Sequence, residues 1–500
     1  MSNSEAESKL GLIGAMSISV GGMIGGVYAV LGVVVLQAGA ASWLTFTGAC
    51  LISMGVSYSY IKLNRISGKK GGSVTQIEAF TGRSTLAGMI GWTLLFGYIG
   101  AMAVYAFAFG GFTVEVLHSA GLLDAEGFLG VPLQSVISVL AIGLFTALVV
   151  AGTQVTGWVG TALATTKSAV ILGFGVWEFA YGFGLFGFDP VAPIQFGFEK
   201  LATPVPIVIA TAISFVSFQG WQLLVCDQES IRDPERNVPI AIYASILVTI
   251  LLDGMIAILV FSYASIDWIV ANPEVAVAFA AETFIGPTGF FVIALSALLS
   301  TGSAILGTLF SSAHFAKGMI RAGLLPDRTG NTDVGGAPPR TTVILGVLTA
   351  VLTVVGRLDG TISFGSLMFM VVFGSMSLLA FAERDREAVN PLPPLVGLVG
   401  SFGAFPILVW HFYTNEPAVF GTVIITAIAV FAIEMLYFGR DTVWSGVERG
   451  GRGRSTIELR GRNHGGGDRR LIGSGNGRIG PASGTDDRGA SFSRPSPLRS

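Results

Sequence analysis

The sequence predicts an all-α integral membrane protein with about twelve transmembrane helices. Hydrophobic residues make up 52% of the 500 residues and charged residues only 12%, too little charge to cover the surface of a soluble protein of this length. Apolar stretches of about 20 residues, long enough to cross the hydrocarbon core, recur along the chain. Lysine and arginine collect in every second loop, as they do on the cytoplasmic side of multi-pass membrane proteins.

Twelve apolar stretches are candidates for membrane crossing, the ninth of them short, and we number them spans 1 to 12 in chain order. They lie near residues 11–35, 39–61, 86–116, 133–152, 156–183, 205–226, 238–263, 288–313, 341–356, 361–382, 394–413 and 417–438. Because the bilayer core offers no water to unpaired backbone groups, each span is predicted to be helical. The chain lacks the alternating ten-residue pattern of membrane barrel strands.

The basic residues predict that both termini lie in the cytoplasm. With the N-terminus inside, thirteen lysines and arginines fall in cytoplasmic loops and only Lys200 and Arg357 in outer loops. The thirteen are Lys62, Arg65, Lys69, Lys70, Arg83, Arg232, Arg236, Lys317, Arg321, Arg328, Arg340, Arg384 and Arg386. The reverse orientation would invert the positive-inside rule. We therefore expect a multi-pass protein of the cell (plasma) membrane.

The two ends of the chain are polar and are predicted to lie outside the membrane. Residues 1–10 lack the basic start of a secretory signal, so we expect a cytoplasmic N-terminal segment followed by a retained span 1. Residues 439–500 contain twelve arginines among many glycines and serines, and they cannot bury enough apolar surface to fold. They are predicted to form a disordered cytoplasmic tail, whose arginines either contact anionic lipid or remain solvated.

Composition excludes several classes of function. A formal net charge of −2 gives no indication of a nucleic-acid partner. The two cysteines, Cys50 and Cys226, lie in or at the end of apolar segments and form neither a disulfide framework nor a metal-binding pattern. The clustered His, Asp, Glu or Cys residues of a membrane enzyme are missing, and so is an ATP-binding signature. We therefore predict a protein that is not an enzyme and needs no metal or cofactor.

Span 1 contains a cluster of glycines near its middle. Four of the six residues 21–26 are glycine, and each costs roughly 1 kcal/mol in a helix interior. One interpretation is an unwound stretch that lines a cavity, where free N–H groups at the start of the second half-helix bind a carboxylate. The alternative is close packing of continuous helices through the pairs Gly21/Gly25 and Gly22/Gly26. This segment alone favours neither.

Span 6 has polar residues among aromatic ones at its centre, over residues 214–222. A break there would free carbonyl groups for an ammonium group and leave aromatic rings to shield it. The alternative is an ordinary aromatic stripe. Spans 1 and 6 are counterparts if the chain repeats every five helices, and breaks at corresponding positions of two halves indicate the substrate site of a transporter.

Charged residues within the spans are the next candidates for function. Lys167 in span 5 is the only cation well inside a span, where it costs roughly 2.5–3.5 kcal/mol. If it gains and loses a proton there, it could couple transport to a proton gradient; the alternative is a lysine that reaches the interface from a misplaced helix end. Asp253 in span 7 could pair with a polar neighbour or take part in proton transfer. Glu178 lies nearer a helix end, where a surface position is expected.

Segment 227–239, at the end of span 6, resembles the signature E-x-x-x-N-P-x-R-N-x-P of the amino acid–polyamine–organocation superfamily. Shorter motifs also resemble this family: the span 1 glycines, Gly71-Gly72-Ser73, Glu78-Ala79-Phe80, Gly91-Trp92 and Gly323-Leu324-Leu325-Pro326. The resemblance covers about residues 10–440. The chain departs from the family at three places, with Val27-Tyr28-Ala29 for Gly-Ile-Phe, Gln222 for an acid and Asp233 for Asn.

The resemblance implies a leucine-transporter-like fold. Its ten core helices would form two inverted five-helix repeats, at 11–183 and 205–382, followed by two further helices at 394–438. A substrate would lie between broken spans 1 and 6. The implied substrate-binding residues are Met23, Ile24, Gly25, Gly26, Val27, Phe215, Val216, Ser217, Phe218, Gln219 and Gly220, with Phe215 and Phe218 as gates. Lys167 would replace the sodium ion of related transporters, facing span 1 and Ser300 and Thr301 of span 8.

These observations predict a secondary active transporter for amino acids or related amines, coupled to protons and working by alternating access. Its expected partners are the small-molecule substrate, the proton and the lipid bilayer, without nucleic acid. One alternative is an exchanger of amino acids or amines without net proton coupling. Another is a non-transporting sensor or a channel on the same scaffold, although the spans have few polar residues with which to line a channel.

Overall fold

The protein is described from a computed structural model. The described residues are 10–69, 71–122, 127–128, 131–185, 194, 196–202, 204–226, 228, 231–265, 268–269, 275–330, 336–386, 389–415, 417–418, 420–425, 428 and 432. All of them belong to one compact unit, Met1–Arg440. Residues 1–9, most of span 12 and the tail 439–500 lie outside the described residues, so their predicted structure stays a prediction.

Fourteen α-helices account for most of the described residues. They are α1 Leu12–Ala38, α2 Ser42–Ser67, α3 Ser73–Thr81, α4 Ser84–Ser119, α5 Leu133–Ala151, α6 Thr153–Gly182, α7 Pro204–Ser214, α8 Trp221–Cys226, α9 Pro234–Tyr263, α10 Ala276–Ile285, α11 Pro287–Arg321, α12 Pro339–Val355, α13 Leu358–Ala382 and α14 Leu392–Asn415. Short 3₁₀ turns occupy Gly39–Ala41, Phe198–Ala202, Phe215–Phe218 and Asp327–Thr329. Two-residue strands, Gly127–Phe128 and Val131–Pro132, pair antiparallel between α4 and α5.

The helices confirm the predicted all-α membrane architecture. Spans 1 to 11 correspond to α1, α2, α4, α5, α6, the pair α7–α8, α9 and α11 to α14, with ends a few residues from the predicted ones. By length and composition eight helical stretches can cross a membrane, one of which (12–67) comprises both α1 and α2, and 204–218 and 339–355 are shorter apolar stretches. The total of twelve stays a prediction, as do the two inverted repeats. Helices α3 and α10 were not predicted.

Burial separates central helices from peripheral ones. In the most apolar window of 12–67, 94% of residues are buried, against 28% in those of α5, α6 and α14. Helix α1 packs against α6, α7, α9 and α11, so it lies at the centre of the bundle. Large apolar side chains of the peripheral helices point outward, among them Leu140, Leu144, Trp158, Leu172, Val347 and Val351. These faces suit contact with lipid.

The start of α9 explains one departure from the family motif. Asp233 precedes this helix with φ 47°, the one non-glycine residue with positive φ among those described, and Pro234 occupies the first turn. Asn and Asp tolerate this left-handed conformation better than other non-glycine residues. Aspartate therefore preserves the turn that the family's asparagine would form.

Candidate functional site

The central helix α1 is continuous across its glycine cluster. Residues Leu12–Ala38 form a single α-helix that includes all four glycines of residues 21–26. The predicted break in span 1 is therefore wrong, and the alternative interpretation, close helix packing, is the one the structure shows. In a continuous helix the N–H groups of residues 25–27 bond to carbonyls one turn earlier, so they are not free to bind a carboxylate.

Two glycines of α1 allow the backbone of span 6 to touch the helix. A Cβ placed on Gly22 would lie 3.0 Å from the Cα of Gly220. A Cβ on Gly26 would come closer to the Cα of Ser217 than two carbon atoms can. These glycines therefore serve backbone contact between α1 and residues 217–220, and the packing explains why a continuous helix keeps them despite their cost.

Span 6 is broken at its centre, as predicted. Helix α7 ends at Ser214, the 3₁₀ turn Phe215–Phe218 follows, and Gln219 has an extended backbone. Gly220 has φ 144°, a conformation that only glycine adopts readily, and α8 begins at Trp221. The break lies directly against the glycine cluster of α1.

Two glutamines bond to two of the backbone groups at this break, the Gly220 N–H and the Phe215 carbonyl. The Gly220 N–H donates to Oε1 of Gln222 at 2.8 Å, and Nε2 of Gln222 donates to Oε1 of Gln219 at 3.2 Å. Nε2 of Gln219 donates in turn to the Phe215 carbonyl at 3.2 Å. A neutral amide both donates and accepts, whereas a carboxylate only accepts. Glutamine at 222, where the family commonly has an acid, therefore completes this chain of hydrogen bonds.

We expect Gln222→Leu to destabilise the protein more than Gln228→Leu does. The first change leaves the buried Gly220 N–H without an acceptor, which costs about 1–3 kcal/mol. Gln228, near the end of α2 and the start of α9, donates one side-chain bond to a described residue, at the Val225 carbonyl. Thermal unfolding in detergent, followed by size-exclusion chromatography, compares the two variants. Equal midpoints would contradict a structural role of Gln222 at the break.

The aromatic residues of the break are packed into the protein interior. Phe215 and Phe218 are both fully buried, and the Phe215 ring meets Phe373 edge to face at 5.7 Å between centroids. Trp221 packs against Tyr60 at 5.3 Å and against Phe373 at 5.2 Å. A gating role for the two phenylalanines stays a prediction.

Several buried polar atoms around the break have no hydrogen-bond partner within the described part of the chain. They are the hydroxyls of Ser19, Ser217 and Ser300 and the indole N–H of Trp221. Ser19 and Ser300 flank the contact, since a Cβ on Gly220 would lie 2.8 Å from the Ser19 carbonyl oxygen and one on Gly25 would lie 3.1 Å from that of Ser300. Such groups are rare in native proteins, and a ligand or ordered water is a common reason for them.

Lys167 is buried and joins three helices. It is 0% exposed on α6, and its Nζ donates to the Gly21 carbonyl at 2.9 Å and to Ser303 Oγ at 2.8 Å. The alternative of a lysine at the interface is therefore excluded. The lysine faces span 1 as expected, but its partner on α11 is Ser303 rather than Ser300 or Thr301. The Thr301 hydroxyl bonds within its own helix, to the Ala297 carbonyl.

Three side chains at this centre were missed from sequence. Ser303 continues a row of serines, Ser296 and Ser300, that falls on one face of α11 at helical spacing, a signal that was available. Tyr105 donates from α4 to the Gly22 carbonyl at 3.2 Å, and Tyr28 donates to Ser296 Oγ at 3.2 Å. No sequence pattern singles out the tyrosines, because their partners lie 83 and 268 residues away.

A separate cavity lies at the ends of α2 and α8 and the start of α9. It has a volume of about 580 Å³, and Asn64, Arg65, Gln228 and Arg236 are among its lining residues. None of the predicted site residues lines it. The contact between α1 and the span 6 break is thus closely packed at Gly22 and Gly26, and this cavity does not reach it.

Comparison with known proteins decides the family. The family model described as amino acid permease matches residues 10–433, which is most of the chain. The chain belongs to the amino acid permease family. It is accordingly a multi-pass membrane transporter of the amino acid–polyamine–organocation superfamily, and the interrupted span 6 beside the α1 glycines is a feature of this permease.

Three curated relatives show how wide the similarity is. An uncharacterized protein of Methanocaldococcus jannaschii is 27% identical over 439 residues, 86% of this permease and 95% of the relative. An inner membrane transport protein of Escherichia coli is 24% identical, covering 81% and 90% of the two chains. A vacuolar cationic amino acid transporter of Arabidopsis thaliana is 26% identical, covering 76% and 60%.

Proposed function

We propose that this permease carries an amino acid or a related amine between the α1 glycines and the span 6 break. The observation that carries the proposal is the buried, unpartnered hydroxyl of Ser217, which faces Gly26, together with the unpartnered polar atoms of Ser19, Ser300 and Trp221 on neighbouring parts of α1, α11 and span 6. A zwitterion offers a carboxylate that accepts hydrogen bonds and an ammonium that donates them, and hydroxyls serve both. The non-helical backbone of residues 215–220 supplies further polar groups at membrane depth.

The site must open before a substrate can enter. Gly22 and Gly26 touch the span 6 backbone, and Phe215 and Phe218 are fully buried, so the present arrangement is closed. Transport by alternating access follows if the broken span moves away from α1 on one side of the membrane at a time. We place the permease in the plasma membrane with both termini in the cytoplasm, as the distribution of basic residues indicates.

Lys167 is the proposed coupling residue for protons. Its two bonds link α6 to the Gly21 carbonyl on α1 and to Ser303 on α11, next to the substrate contact. A neutral amine donates fewer hydrogen bonds and carries no charge, so deprotonation would loosen this link between the three helices. Whether Lys167 is protonated would then shift the equilibrium between positions of α1 relative to α6 and α11.

Reconstitution tests this proposal. We would place the permease in liposomes and measure uptake of the twenty radiolabelled amino acids and of putrescine. The external solution would be acidic, neutral, or at the same pH as the interior. Accumulation that depends on the pH gradient supports proton-coupled uptake. Exchange of internal for external substrate without any effect of the gradient supports the second candidate, an exchanger. No movement of any compound would leave the sensor as the better account.

A further inference from the structure

Helix α6 buries both of its charged residues although most of its surface faces outward. Only 28% of its apolar window is buried, yet Lys167 and Glu178 are each 0% exposed. The surface position expected for Glu178 is therefore wrong. Eleven residues separate the two side chains, which is about three helical turns or 16 Å, so they lie on the same face of the helix.

Helix α9 packs along that face with the same direction. Gly175 of α6 directly faces the end of the Met255 side chain, and a Cβ on Gly182 would lie 2.9 Å from the hydroxyl of Tyr263. In these two contacts the residue of α9 comes 80 or 81 positions after its partner on α6. With the same offset, Asp253 lies at the level of about residue 173 of α6. The depth of Asp253 is thus about midway between Lys167 and Glu178, roughly 8 Å along the helix axis from each.

Both carboxyl groups are buried without a hydrogen-bond donor. Within the described residues, neither oxygen of Asp253 and neither oxygen of Glu178 has a partner, and neither residue forms an ion pair. Asp253 is 0% exposed. An ionised carboxylate in an apolar interior costs far more than a neutral acid, so an unpartnered carboxyl there is stable mainly when it holds a proton.

The surroundings of each carboxyl contain few other titratable groups. The titratable groups near Asp253 include Tyr28 on α1, Cys50 on α2, Tyr105 on α4 and Lys167 on α6. Helices α8 and α10 also pack against α9 and carry Cys226 and Glu282. Glu178 faces Tyr263 of α9, which also contacts Tyr181. Lys167 is the one cation in this set.

We propose that Asp253 is a second proton-binding site of the permease, loaded from the outer side by way of Glu178 and exchanging its proton with Lys167. A transfer toward Lys167 breaks one O–H bond at the donor carboxylic acid, which is left as a carboxylate, and forms one O–H or N–H bond at the acceptor, which is a carboxylate or the neutral amine. The return transfer from Lys167 breaks one N–H bond of its ammonium group, leaves the neutral amine, and forms one O–H bond at the Asp253 carboxylate. Because successive residues are offset by about 8 Å along the helix axis, water or side-chain rotation must bridge each step.

The inference rests on the proposed proton coupling, but its first test does not involve transport. We would record infrared spectra of the purified permease at pH 7 and follow the C=O stretch of protonated carboxylic acids. Asp253→Asn and Glu178→Gln, close isosteres of the neutral acids, are each expected to remove one such band. Glu282→Gln, at a partly exposed carboxyl, is expected to remove none. If Asp253→Asn does not fold, Asp253→Glu replaces it in the test, and its spectrum should show the carboxylic acid band at a position shifted from that of the wild type.

The transport test uses the same variants in liposomes with the twenty amino acids and putrescine. Asp253→Asn should lower gradient-driven accumulation at least roughly tenfold and preserve exchange. If the wild type accumulates substrate and Asp253→Asn does so equally at every external pH, the second proton site is refuted while the proposed function stands. If the wild type moves nothing, the proposed function fails, and the infrared bands alone decide the site. If Asp253→Asn keeps every carboxylic acid band of the wild type, the second proton-binding site is refuted, whether or not the wild type transports substrate.

Discussion

Replacement of Gly26 by leucine should abolish transport, and Gly26→Ala should reduce it strongly. Even one methyl group on Gly26 meets the Ser217 backbone, so α1 and the broken span must separate or distort. Overpacking of this kind costs about 1–3 kcal/mol for a small addition, and leucine adds three further carbon atoms at the same point. We expect the Gly26→Leu variant to take up none of the compounds that the wild type carries.

The matched control is Gly143→Ala on α5, where an added Cβ has no neighbour within 4 Å. It tests whether any extra methyl in a transmembrane glycine position lowers uptake. Initial rates in liposomes, normalised to the amount of folded protein, give the comparison. Full transport by Gly26→Leu would show that the substrate does not pass between α1 and residues 217–220.

Replacement of Lys167 by alanine should eliminate accumulation driven by a pH gradient. With one proton carried per substrate, the wild type should accumulate about tenfold for each unit of pH difference, and the variant should stop at equal concentrations. The change removes the proton-binding amine and leaves the Gly21 carbonyl and Ser303 without their shared donor. Exchange of labelled for unlabelled substrate can persist, because it needs no net proton movement.

Lys167→Met is the volume-matched companion, since it fills the same space without a charge. Agreement between the two variants would assign the effect to the amine rather than to a cavity. The internal pH of the liposomes, followed with a trapped dye during uptake, measures the proton directly. Accumulation that continues unchanged in both variants would refute the coupling role of Lys167.

Most of the fold could be predicted because the bilayer constrains it strongly. Hydropathy located spans 1 to 11 with ends at most eight residues from those of the helices, since each crossing must satisfy its own backbone hydrogen bonds. Helices α3 and α10 were missed because they do not need a twenty-residue apolar run. In the sequence, the residues of α10 resemble part of the loop before span 8. In the structure they form a helix that Gly286, with φ 77°, separates from α11.

The site was predicted in part, and the glycines show why. A Gly-rich stretch is compatible with an unwound chain and with close packing of a continuous helix, and only the neighbours decide between them. For span 6 the position of Gly220 and the polar residues around it identified the break correctly. For span 1 the deciding contacts come from Ser217 and Gly220, about 190 residues later in the chain. Tyr105 and Tyr28 could not be identified for the same reason, since their partners are distant in sequence, whereas the serine row that contains Ser303 was visible and was overlooked.

The two spans that meet at the proposed substrate contact differ mechanically. Helix α1 is one continuous helix, whereas the backbone of span 6 leaves the helical conformation at Gln219–Gly220. The outer and inner halves of span 6 can therefore swing independently, but α1 must tilt as a whole. If α1 tilts away from span 6 at one side of the membrane, its other end moves toward span 6 at the opposite side. The tilt of one continuous helix would therefore prevent the site from being open to both sides at the same time.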